Sequence, residues 1–97
     1  MSYLRQGSYS PGTTTNFTTS GSSQATAAVG NTTSIVRVST TEAIYVAIAA
    51  NPTATSSDLM IPGGGTEFFA VVPGTSKVAV LQVSTSGVAS VTELAEL

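Results

Sequence analysis

From about residue 25 onward, short runs of alternating apolar and polar residues recur every 8 to 12 residues or so, separated by clusters of Gly, Pro, Asn, Ser and Thr. These runs predict strands at 25–29, 33–39, 43–50, 57–61, 66–72, 77–84 and 88–94. The breaks are VGN (29–31), NPTATSS (51–57), PGGG (62–65), PGTS (73–76) and TSG (85–87). Each contains residues that set turn dihedrals or tolerate positive φ. Short strands at this spacing predict an all-β chain, a small antiparallel β-sandwich that is jelly-roll-like or Ig-like.

Within the runs the side-chain period of two assigns faces. In IVRVS, Val36 and Val38 point to the core and Arg37 points out; in KVAVLQVS, Val78 and Val80 share one face and Ala79, Leu81 and Val83 the other. The run AIYVAIAA at 43–50 is apolar on both faces. Ile44, Val46 and Ile48 fill one, while Ala43, Tyr45, Ala47 and Ala49 make a smooth second face with one aromatic. Such a face suits either close approach by another sheet or subunit, or a central strand covered by its own chain. Alanine also favours helix, but the length and β-branched content of the run favour a strand. The C-terminal VTELAEL is read as strand through Glu93 and then a short tail, with a last helical turn as the alternative.

Residues 1–24 differ in character. They are rich in Ser, Thr and Gly, with Tyr3, Leu4, Tyr9 and Phe17 as scattered large side chains. Too little apolar surface is present for this segment to fold alone, so it is expected to gain order against a neighbour. The domain expectation is an extended low-complexity arm at 1–24 and a β-sandwich domain at 25–97. Tyr3, Leu4, Arg5, Tyr9, Phe17 and Tyr45 are the expected intersubunit contacts.

Composition narrows the chemistry. A chain of 97 residues supports one core. Charged residues make up 8% of it, against about 25% in ordinary globular proteins, and hydroxyl side chains fill the gap. The cations Arg5, Arg37 and Lys77 are too few to neutralise a run of phosphates, which argues against direct nucleic-acid binding. No Cys or His occurs, so thiol nucleophiles, disulfides, imidazole bases and the usual zinc ligands are excluded. The opening MSYLRQGSYS turns polar after Leu4, unlike a secretory signal, and the longest apolar run is far short of the ~20 residues of a membrane-spanning helix. The expectation is a protein made in the cytoplasm, without membrane association.

The three glycines of LMIPGGGTEFF invite comparison with a phosphate-binding loop. Such a loop needs converging N–H groups, a following helix and a Lys that reaches the phosphate. Here no Lys follows, the downstream run reads as strand, and Glu67 would repel an anion. The carboxylates Glu42, Asp58, Glu67, Glu93 and Glu96 show no spacing that pairs them for acid–base work, and Asp58 with Glu67 is a thin calcium set. Ser76 and Lys77 would point to opposite faces of a strand, which disfavours a Ser–Lys dyad. No enzyme activity, cofactor or metal is expected.

Residues 36–95 carry an ordered series: an R-V strand, a strand ending in ANPTATSS, a short apolar strand, a Pro/Gly corner, EFFAV, PG followed by KVAV, and a closing VTE. This series resembles small tailed-bacteriophage virion structural proteins of the capsid decoration or cement type. The resemblance implies a compact β-sandwich without an active site. It would bind the outer surface of the phage head, as a homo-oligomer with a trimer favoured, and stabilise contacts between major capsid proteins. Another virion position (head fibre, neck or tail) and a glycan-binding module are the alternatives. The glycan reading is weakened by the absence of Trp, the usual sugar-stacking platform.

Overall fold

The computed structural model describes residues 9–96. Eight strands form two sheets. The strands are β1 (Tyr9–Thr18), β2 (Gln24–Ala25), β3 (Ile35–Thr40), β4 (Ile44–Ala49), β5 (Leu59–Ile61), β6 (Thr66–Ala70), β7 (Lys77–Gln82) and β8 (Val88–Glu96). Sheet A has the order β1-β8-β3-β6 and sheet B the order β2-β7-β4-β5, with every pairing antiparallel. The chain crosses between sheets at nearly every step, and this strand order is that of a jelly roll, so of the two sandwich types expected the Ig-like one is not adopted. The run at 43–50 is a strand, and β8 runs on past Glu93 to Glu96.

β-branched side chains fill the space between the sheets. Val36, Val38, Ala89 and Val91 enter from sheet A, and Ile44, Val46, Ile61, Val78 and Val80 from sheet B. Val29 joins them from the β2–β3 loop, and Phe17, Ile48, Phe69 and Val71 close the margins. Each fully buried Val or Ile stabilises the fold by about 1.5–3 kcal/mol relative to exposure.

The arm expected at 1–24 is corrected from Tyr9 onward, while residues 1–8 lie outside the described residues. Tyr9–Thr18 is an edge strand of the sandwich, in register with β8 from Tyr9↔Glu96 to Thr18↔Val88. Beyond it, Thr19 N–H donates to Gly87 O at 2.9 Å, Gly87 N–H donates back to Thr19 Oγ1 at 2.8 Å, and Ser86 Oγ donates to Thr19 O at 2.6 Å. Backbone pairing, with Phe17 turned inward, orders a segment whose composition alone could not do so. The ladder breaks once. Gly12 and Thr13 together oppose Glu93, between the pairs Pro11↔Leu94 and Thr14↔Thr92, which makes a β-bulge next to a proline that has no N–H to donate.

The alanine face of β4 is covered by the chain itself only in part: Tyr45 and Ala47 are half-buried and Ala49 is exposed. Ala25, Ala79 and Ala47 form one row across the outside of sheet B. The β4–β5 loop leaves β4 at its edge-distal end, yet Ala54 N–H donates to Ser23 Oγ at 2.9 Å beside β2, on the far side of β7. The loop therefore passes over the alanine row and back to β5. Ala54 is 3% exposed and Ala79 fully buried, which only a close crossing over small side chains allows.

Two tight turns shape the β5–β6 and β6–β7 connections. In PGGG, Gly65 N–H donates to Pro62 O at 2.9 Å and Gly64 takes φ +77°, a type II turn with glycine where left-handed backbone is required. Gly64 N–H donates to Thr40 O at 2.9 Å, and Thr40 N–H donates to Gly65 O at 3.1 Å. The glycine corner is thus docked on the end of β3, with two of its N–H groups already bonded within the chain. In VPGT, Pro73 and Gly74 occupy the two central positions of a second type II turn, with φ +73° at Gly74.

Candidate functional site

The six expected contact residues do not form one surface. Tyr3, Leu4 and Arg5 lie outside the described residues. Tyr9 is half-buried at the end of sheet A, opposite Glu96. Phe17 lies on the inward-alternating side of β1, partly buried against the protein's own core, and so spends part of its surface within the fold. Tyr45 stands on the outside of sheet B, half-buried between Leu81 and Met60 in the adjoining strands.

The polar groups considered for chemistry mostly serve local structure. Asp58 Oδ2 accepts from Thr55 N–H at 2.8 Å and from Thr55 Oγ1 at 3.2 Å, closing the loop before β5. Ser76 is buried, and its Oγ accepts from Val72 N–H at 2.8 Å. Glu42 and Glu67 are exposed. No group of three or more His, Cys, Asp or Glu that could hold a metal ion occurs among the described residues.

Glu93 is different. Alternation along β8 turns it inward with Ala89 and Val91, and in the ladder with β3 it stands opposite buried Val36. Its Oε1 accepts from Gly30 N–H at 3.0 Å and from Thr33 Oγ1 at 2.6 Å, clamping the β2–β3 loop to sheet A. No described residue donates to Oε2, and this oxygen is not among the buried atoms left without a partner. The carboxylate lines a cavity of about 300 Å³ that opens between β1 and the β2–β3 loop, walled by Thr13, Thr15, Thr26, Val91 and residues 27–30. The bulge helps to make this space, because the extra residue opposite Glu93 brings Thr13 to its rim. Sequence reasoning counted Glu93 among the unpaired carboxylates and missed the site. The detectable signal was a Glu at an inward-alternating position of a strand.

The opposite flank is apolar. β5 and β6 are the sheet edges joined by the glycine corner, and there Leu59 and Met60 are half exposed, as is Phe68 on the outer face of sheet A. Nearby, Ile48, Phe69, Val71 and Val72 line an open groove of about 690 Å³. No protein-family model, curated protein or solved structure matches the chain.

Proposed function

We propose that the chain is a non-enzymatic virion structural protein, a capsid decoration or cement protein that docks on the outside of a phage head and ties neighbouring major capsid proteins together. The observation that carries this reading is the apolar flank: Leu59, Met60 and Phe68 each leave about half of their surface in water, on a chain with 8% charged residues. Met60 faces out from sheet B and Phe68 from sheet A, so these side chains straddle the β5–β6 rim of the sandwich, and apolar exposure on both sides of one rim favours a docking role. The jelly roll adds an argument by fold analogy, since the same architecture builds many viral capsid domains. The mechanism is added contact area. An interface of about 1,600 Å² per copy, repeated across a shell, would resist the outward pressure of packaged DNA.

The test is to add the purified chain to undecorated phage heads and image them. Hundreds of copies on the shell are expected, and a double Met60→Glu, Phe68→Glu variant should lower occupancy at least tenfold while keeping its thermal midpoint within a few degrees. Full occupancy by that variant would overturn the role of the flank. A dozen or fewer copies at the neck or tail would replace the cement reading with the other virion position.

A further inference from the structure

We infer that the Glu93 cavity is a binding site for a cationic side chain, the guanidinium or ammonium group of an Arg or Lys presented by a partner protein. The clamp on the β2–β3 loop needs an acceptor at Oε1 and nothing more, so a neutral Gln would serve it equally. The negative charge is not explained by that role. Arg37 lies on the outer face of sheet A, opposite Thr92, and Lys77 on the outer face of sheet B, opposite Ala49; Glu93 faces neither. An inward-facing carboxylate gains most from a counter-ion that donates hydrogen bonds as well as charge.

The lining of the cavity excludes the other ligand classes. An anion would meet the carboxylate. A calcium ion needs six to eight oxygens with more than one carboxylate in the usual case, and here one carboxylate stands among threonine hydroxyls. A sugar would find no aromatic wall. Thr26 Oγ1 already accepts from Val78 N–H and donates to Ala27 O, and Gly30 O already accepts from Thr33 and Gly74 N–H, so the hydroxyls of Thr13 and Thr15 are the acceptors left for the N–H groups of a guanidinium that Oε2 does not take up. The opening lies on the β1–β2 flank, away from the apolar flank at β5 and β6, so the two surfaces can be occupied together.

This inference extends the docking role by naming what one site receives, and it is tested on the isolated chain so that it stands or falls apart from that role. Butylguanidinium and butylammonium chlorides are titrated into the full-length protein and followed by amide NMR, with sodium chloride and methyl glucoside as controls. Saturable shifts at Gly30, Thr33 and Thr15 are expected, with a dissociation constant on the order of 10 mM for so small a ligand. Glu93→Gln should weaken binding at least tenfold with the clamp intact, and Thr15→Leu, which fills cavity space and leaves the carboxylate in the chain, should abolish it. No saturable shift in the wild type, wild-type affinity in either variant, or an equal response to methyl glucoside would overturn the inference. Binding that appears only in an Arg5→Gln background would assign the cavity to the chain's own arginine and overturn the partner reading.

Discussion

Two threonine- and serine-rich segments of this chain, SPGTTTNFTT in β1 and NPTATSSD between β4 and β5, have the same loop-like composition and opposite fates. The first supplies all but the first residue of a ten-residue strand, eight of whose residues pair with β8 on either side of one bulge. The second makes no ladder. It lies over the alanine row of sheet B, fixed by Ala54 on Ser23 and by Asp58 on Thr55. What separates them is the surface each one meets. β8 offers a strand edge of unpaired N–H and C=O groups, which any backbone can satisfy. The outside of sheet B offers no free edge, only side chains small enough for a backbone to pass close above.

Truncation gives the largest expected difference between the two. Deleting residues 1–18 removes β1, exposes the β8 edge and uncovers the core beside Phe17; loss of the cooperative thermal transition and of a dispersed amide NMR spectrum is expected. A sharp, near-native transition in that variant would show β1 to be an appendage after all. Next comes the cover. Ala79→Leu should lift the β4–β5 loop from sheet B and lower stability by about 1–3 kcal/mol in urea unfolding, with faster hydrogen exchange at Ala54 and no change at Thr15. A neutral result would mean that the loop does not depend on the small row beneath it. The smallest effect belongs to the outer face of β1. Thr14 Oγ1 and Thr92 Oγ1 form a hydroxyl pair at 3.0 Å, and Thr14→Val should alter stability by no more than about 0.5 kcal/mol, because backbone pairing rather than this hydroxyl holds the strand.

The strands that were legible share one property. β3, β4 and β7 place Val or Ile at every second position, so burial can be read directly from IVRV, IYVAI and KVAV. β1 and the residue after it alternate too, with Thr15, Phe17 and Thr19 facing inward, but two of these three are hydroxyl residues and a count of apolar positions passes over them. The glycine corner was also legible, since a proline followed by three glycines between two strand patterns leaves few backbone solutions. Glu93 was not. Nothing near it in sequence marks a pocket; the clamp joins residues sixty positions or more apart, and the loop that walls the cavity is placed by its bonds to β7.

Local patterning by itself determined that this chain is an all-β sandwich with a turn at each Pro/Gly cluster, because the period of two and the dihedral limits of Gly and Pro act within a few residues. Only the tertiary structure decided that residues 9–18 complete sheet A, that the β4–β5 loop buries Ala79 from within the chain, and that one carboxylate looks into a cavity. Each of these depends on pairing between distant segments. Hydroxyl and alanine side chains accept water, a backbone or a neighbouring strand almost equally well, so their place is settled by what the rest of the fold leaves open.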